Sequence, residues 1–389
     1  MNADLLRAKV LREPARLTSP RTGVDRCWCA ARPSKPVGSR EQRLRWVRFP
    51  CAPATPLWLR TRVPTDDIVI RPPQLADEVA VLDAWHACFA RLDPAARLEA
   101  SAWRRRWSEH PLGWQAQAAF AADGTCLAHF GGLGFRWRTP EGGLRRGWLV
   151  VDSFARIEAR GGLGKRGWLA RCCERFIAAS MSREQRDYAH GFPVPRAWEL
   201  GRRVMRYEFA DEVRVWTASS AALQPWPTPL EARSAVLDER IARLDAQVYA
   251  RTARIERNAA HLAWRLPADA QCVEVRAQDG ALRGFAAWRT TTFLGEPHLV
   301  LLDWVVDAAD APAQGALLAA ARNAVRTQGA TRVAVWGSPR DPHAALWWRL
   351  GLRLRALENV QACFVPHDAH EARRVASELY LSFLDTDLA

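Results

Sequence analysis

The tetrapeptide Trp198-Glu-Leu-Gly201 returns as Trp348-Arg-Leu-Gly351, 150 positions later. Each copy follows a Gly-x-Pro, at Gly191-Phe-Pro193 and Gly337-Ser-Pro339. Ahead of them, hairpin-type pairs recur at Asp123-Gly124 and Asp279-Gly280, and an aspartate recurs inside an apolar strand pattern at Asp152 and Asp303. Four matches in one order mark a tandem duplication of one α/β module. Whatever the first module is, the second must repeat it.

The element order supports this. The first copy opens with the strand signal Asp67-Ile-Val-Ile-Arg71. Val79, Leu82, Trp85, His86 and Phe89 recur at helical spacing, and a second helix is expected from Pro94 to Ser108. Gln115–Ala122 and Cys126–Trp137 read as strands joined across Asp123-Gly124. A strand over Gly147–Arg156 ends in a glycine-rich turn, followed by a helix from Lys165 to Met181. A short strand near Tyr188, a helix at Arg196–Arg202 and strands from Val204 to Trp216 close the copy.

The second copy runs alike. Leu237, Ile241, Leu244 and Val248 mark a helix, and Ile255–Trp264 continues helical. Strands follow at Cys272–Arg276, Leu282–Thr290 and His298–Val306, then a helix at Pro312–Thr327, a strand at Arg332–Trp336, a helix at His343–Leu350 and closing strands. Gln224-Pro-Trp-Pro-Thr-Pro229 is a stiff linker. The expected plan is a leader at 1–65, a first module at 66–218, a linker at 219–230 and a second module at 231–389.

Charge separates along the same boundaries. The chain carries +14, but residues 1–65 hold 14 Arg or Lys against 4 Asp or Glu, so +10 of the excess lies in a Pro- and Arg-rich leader without periodicity. All basic residues but Lys9, Lys35 and Lys165 are Arg, a bias that fits a GC-rich coding sequence better than selection for nucleic acid. The longest apolar run, Leu299–Val306, is short and broken by Asp303, so no membrane-spanning segment and no secretory signal are expected. Cytoplasm is the default location.

The 9 cysteines give no zinc spacing: Cys27 and Cys29 have one residue between them and no second pair. His367 and His370 lack further ligands nearby, and no metal is expected. Free thiols, including adjacent Cys172 and Cys173, are the expected state.

The segment that carries chemistry is Ala159-Arg-Gly-Gly-Leu-Gly-Lys165, between a strand and a helix. Glycines let the backbone turn tightly and approach a ligand, and helix-start N–H groups with the helix dipole favour a diphosphate. Arg160, Lys165 and Arg166 add positive charge. It is not a P-loop, and its place after the fourth strand is wrong for a dinucleotide fold.

Order and motif together resemble the GNAT acyl-CoA-dependent N-acetyltransferase superfamily. There a Gln/Arg-x-x-Gly-x-Gly/Ala turn between strand and helix cradles the coenzyme A pyrophosphate. Here Gly162 and Gly164 match, and Ala159 stands in the first position. The resemblance covers residues 67–217, and more weakly 231–389, where Arg257-Asn-Ala-Ala-His-Leu-Ala-Trp-Arg265 and the ending Leu-Asp385-Thr-Asp387 look like two-module bacterial GNAT proteins. It implies an α/β fold of two tandem GNAT-like modules, each a mixed, mostly antiparallel sheet flanked by helices on both faces. It also implies acetyl-CoA as acyl donor, held by Phe154, Ala155, Arg156, Arg160, Gly161, Gly162, Leu163, Gly164 and Lys165. The second module carries Asp307-Ala-Ala-Asp-Ala-Pro in place of the turn, and that negative charge would repel a diphosphate.

Acetyl transfer to an amine needs a base, a donor that polarises the thioester carbonyl, and an acid for the thiolate. The resemblance places the carbonyl donor among the backbone N–H groups of Ser153–Arg156. Asp152 on that strand and Glu158 before the turn are the candidate bases, although Asp152 also reads as a structural carboxylate because Asp303 recurs. Tyr188 is the candidate on the next strand, with His190 beside it. The family's acid, a Tyr four residues before the helix glycine, is replaced by Ala197. The expected function is acetyl-CoA-dependent N-acetyltransfer to a small-molecule or peptide amine. The alternatives are a non-catalytic acyl-CoA sensor or assembly module, and nucleic-acid association through the leader.

Overall fold

Residues 67–89, 98–160, 167–181, 187–224, 226–338, 340–365, 374–375 and 378–386 are described in the computed structural model. The leader, the glycine turn proper (161–166), His367 and His370 lie outside them. The first copy comprises β1 (Val69–Arg71), α1 (Glu78–Phe89), α2 (Ala100–Trp107), β2 (Trp114–Phe120), β3 (Cys126–Arg138), β4 (Leu144–Ala155), α3 (Trp168–Ser180), β5 (Tyr188–Gly191), α4 (Pro195–Val204) and β6 (Glu208–Ser219). The second comprises β7 (Ala232–Ser234), α5 (Glu239–Val248), β8 (Ala253–Ile255), α6 (Ala259–Arg265), β9 (Gln271–Arg276), β10 (Leu282–Phe293), β11 (Glu296–Val306), α7 (Ala311–Gln328), β12 (Arg332–Gly337), α8 (Ala344–Arg349), β13 (Arg353–Val365) and β14 (Leu379–Tyr380). Where continuous helix was expected from Ile255, the chain first forms β8 and only then α6, capped by the Asn258 side chain on the His261 N–H at 2.8 Å.

Each copy builds a mixed sheet, and among the described residues the pairing is antiparallel except where β4 meets β5, β11 meets β12 and the short β14 meets β8. The two sheets join edge to edge in the order β1-β2-β3-β4-β5-β13-β6-β12-β11-β10-β9-β7. Their last strands are exchanged: β13 pairs with β5 of the first copy, and β6 pairs with β12 of the second. Helices cover both faces. Under α3 and α4 lies a core of Phe130, Trp148, Phe176 and Trp198; under α7 and α8 lies one of Trp304, Leu317 and Trp347. The opposite face is a single core shared by both copies, with α1, α2, α5, α6 and Phe383 packed on it. β3 is buried at Cys126–Phe135 because it is covered on both sides, which explains its unbroken apolar run. Among the described residues no helix is long and apolar enough to cross a membrane.

The repeated motifs differ in how well they correspond. Both Asp-Gly turns close identically: the aspartate carboxylate accepts from the N–H two residues on, at 2.9 and 3.0 Å, and Gly124 and Gly280 take φ of +84° and +85°. The Trp-x-Leu-Gly copies do not match. Trp198 is buried and Gly201 lies in α4, where a Cβ would overlap the Tyr207 ring. Trp348 is 55% exposed, Trp347 takes the inner place, and Gly351 ends the helix at φ +81°.

Candidate functional site

β4 pairs with β5 from Gly147 and Tyr188 as far as Leu149 and His190, then runs on to Ala155 with no strand partner on that side among the described residues. Its other edge stays on β3, with a bulge: Asp152 and Ser153 together oppose Phe130, and Asp152 adopts φ +51°. The Arg156 N–H donates to Leu127 O at 2.9 Å, so Phe154 and Arg156 address β3. Ala155 consequently turns its N–H and carbonyl toward the gap beside β5. Its carbonyl accepts from Arg160 Nε at 2.8 Å, which folds the arginine back across the strand end.

Beyond Ile157–Ala159 and the glycine turn, α3 begins at Trp168. Its N-cap is Gly167, no side chain caps it, and no acidic residue lies in its first turn. Among the described residues no carboxylate caps these helix-start N–H groups. The second copy differs at each of these points. The Asp310 carboxylate caps α7, accepting from Ala313 N–H at 3.0 Å, and also binds Arg283 at 2.7 Å. The linker crosses the helix start: Thr228 Oγ1 donates to Pro312 O at 2.7 Å, and a Cβ on Gly315 would lie 3.2 Å from the Thr228 side chain. The splay of β11 from β12 is filled, since Tyr249 OH donates to Trp304 O at 2.7 Å and His343 Nε2 to Val306 O at 2.9 Å.

Asp152 is a hub. Its carboxylate accepts from Trp85 Nε1 at 3.2 Å, Trp107 Nε1 at 3.1 Å and Arg106 Nη1 at 3.1 Å, tying α1 and α2 to the bulge. Glu158 is exposed and paired with Arg156 Nε at 2.6 Å. Tyr188 is buried in the shared core, its ring 5.2 Å from Trp137 and 6.0 Å from His190. Burial, together with the Asp385 carboxylate, pushes its phenol well above the usual range. His190 Nε2 donates to Asp385 O at 3.5 Å, and burial lowers its pKa to about 4. The three candidate catalytic groups thus sit in three settings: a saturated hub, an exposed ion pair and the core.

Of the candidate coenzyme residues, Phe154, Ala155, Arg156 and Arg160 cluster at the end of β4. Gly161, Gly162, Leu163, Gly164 and Lys165 lie outside the described residues. Sequence reasoning named Trp85 only as part of a helical stripe and did not single out His129, Arg106 or Trp107. A lone histidine in the otherwise apolar β3 run was the available signal. Among the described residues no group of three or more His, Cys, Asp or Glu could hold a metal ion.

No protein-family model and no curated protein matches the chain. Solved structures do. A probable N-acyltransferase from Enterococcus faecalis V583 superposes with a TM-score of 0.59 at 13% identity, over 76% of this chain and 71% of that one. The GCN5-related N-acetyltransferase from Anabaena variabilis gives 0.58 at 13% identity, over 76% and 72%. That from Kribbella flavida gives 0.58 at 16% identity, over 79% and 74%. The chain has the fold of the GCN5-related N-acetyltransferases.

Proposed function

We propose that this protein is an acetyl-CoA-dependent N-acetyltransferase of the cytoplasm, that the first copy binds the coenzyme, and that the acceptor is an amine on a small molecule or peptide. The observation that carries this reading is an asymmetry between the copies. Among the described residues the first leaves β4 open toward β5 and α3 uncapped, while Asp310, Thr228, Tyr249 and His343 close both features in the second. An anionic, extended ligand fits the first arrangement and not the second.

In this reading the α3 N-terminus, Arg160, Lys165 and the Gly161–Gly164 backbone take the diphosphate. The Ala155 N–H, between Phe154 and Arg156, polarises the thioester carbonyl. The amine lone pair attacks that carbon, the oxyanion forms against Ala155, and the C–S bond then breaks. The amine's proton leaves to solvent or to Glu158, the exposed carboxylate, and the thiolate is protonated from solvent.

Calorimetric titration with acetyl-CoA, followed by thiol release across a panel of amines, tests the proposal. Saturable binding with turnover is expected; no binding at millimolar acetyl-CoA rejects it. A second reading is a non-catalytic acyl-CoA sensor or assembly module, favoured by the saturation of Asp152 and the burial of Tyr188. Binding without turnover for any amine would select it.

A further inference from the structure

His129 stands where the second copy has a hydrocarbon ring. In the ladder it faces Phe154, two residues past Asp152. The residue facing Val305, two past Asp303, is Phe285. Both positions are fully buried. For stability alone phenylalanine is the better occupant, because His129 Nε2 has no hydrogen-bond partner among the described residues, and a buried polar nitrogen left unpaired is destabilising.

What the imidazole adds is one bond. Its Nδ1–H donates to the Asp152 carbonyl at 2.8 Å, which fixes the tautomer with Nε2 as acceptor, and burial keeps the ring neutral. Asp152 is the residue at φ +51°, a left-handed backbone that is strained for an L-residue. Asp303 has no such conformation. The strained backbone and the buried histidine therefore occur together, and only in the copy whose β4 is open. The same ring lies flat on Phe154 at 5.4 Å and 15°, with the Trp103 and Trp107 edges closing around it.

We propose that His129 is a positioning residue for acyl transfer: its Nδ1–H locks the Asp152 carbonyl and its face clamps Phe154, which together set the direction of the Ala155 N–H. The inference rests on the acetyl-transfer reading above. Peptide planes are rigid, so holding the carbonyl at one end of a three-residue segment and the ring before its last N–H leaves that N–H little freedom. A misaimed oxyanion donor lowers kcat while leaving coenzyme affinity intact, since the diphosphate is held elsewhere.

The test compares His129→Phe, which copies the second module, with His129→Asn, whose amide can replace Nδ1–H. Acetyl-CoA affinity is read by calorimetry, stability by thermal melting, and kcat and KM with the amine the wild type uses best. His129→Phe should melt no lower than wild type and bind acetyl-CoA within about threefold, yet lose roughly 10- to 100-fold in kcat. His129→Asn should recover most of that loss, and hydrogen exchange at Asp152–Ala155 should rise in the Phe variant and return in the Asn variant. Wild-type kcat in His129→Phe, or an Asn variant no better than Phe, overturns the role while the transfer reading stands. A wild-type protein that binds acetyl-CoA but turns over no amine overturns both.

Discussion

Arg257 Nη2 donates to Asp385 Oδ2 at 2.7 Å, with both side chains fully buried and 128 positions apart in the chain. The same guanidinium reaches Asp303 at 2.6 Å, and Asp303 in turn takes Arg254, which also holds Asp245 at 2.6 Å. Asp303, the counterpart of Asp152, is thus also a hub, but one that anchors the segment around Phe383 rather than a pair of helices. Arg257→Met would take the guanidinium from buried Asp385 and leave Asp303 with Arg254 alone, and should cost about 3–5 kcal/mol in urea unfolding. A loss under about 1 kcal/mol would mean that the network is not holding that segment.

Asp152→Asn separates the two readings of that residue. With two indoles and Arg106 bonded to it, the carboxylate is expected to stabilise the bulge, and its replacement should lower stability by roughly 1–3 kcal/mol. Were Asp152 a general base instead, the Asn variant would melt like wild type and lose activity. Melting and turnover measured on one preparation decide between them.

The helix starts offer a reciprocal pair. Gly167→Asp places a carboxylate cap on α3 and should add up to about 1 kcal/mol of stability while abolishing acetyl-CoA binding. Asp310→Ala removes the cap of α7 and should lose about 1 kcal/mol without altering that binding. Acetyl-CoA affinity that falls equally in both variants contradicts the assignment of the coenzyme to the first copy.

Acid should unfold the protein in two windows. Burial lowers the pKa of His110 and His190 to about 4 and that of His261 to about 3, against an ordinary 6.5. As pH falls below 6.5 the unfolded chain takes up protons that the folded chain refuses, so stability declines until about pH 4. Asp303 is held at about 2 by Arg257 and Arg254 against the desolvation of its site, so its contribution is full above about 3.8 and disappears as pH falls through 2. Guanidinium midpoints from pH 7.5 down to about 2 should follow this course, and His261→Leu should flatten the upper window. Neither ring nitrogen of His261 has a hydrogen-bond partner among the described residues.

Most elements could be read from the chain because hydrophobic period and Asp-Gly turns are local signals. The Asp123-Gly124 and Asp279-Gly280 hairpins are the clearest case, down to the same carboxylate-to-amide bond. What stayed hidden depends on partners distant in sequence. Nothing near Asp152 announces two tryptophans and an arginine from α1 and α2, and nothing near Tyr188 announces Trp137 and the Asp385 segment. Trp348 looked equivalent to Trp198 by spacing, yet α8 presents Trp347 inward, a shift of one residue that a four-letter motif cannot register. The contrast in charge before the two helices was legible, since Asp307 and Asp310 stand in the second copy where the first has its glycine turn, but the start of α3 at Trp168 rather than Lys165 was not.

The exchange of β6 and β13 has a consequence for how the molecule is made. When the ribosome has delivered Ser219, every strand of the first copy exists, yet β5 still lacks the neighbour it will keep, because residues 353–365 are not yet synthesised. The order of synthesis and the order of pairing disagree across more than a hundred residues, which favours slow folding and leaves a bare strand edge on the nascent chain. Neither copy can reach its final sheet before translation is almost finished. Expressed apart, each would offer the other its missing strand, so two inert fragments should reassemble when mixed.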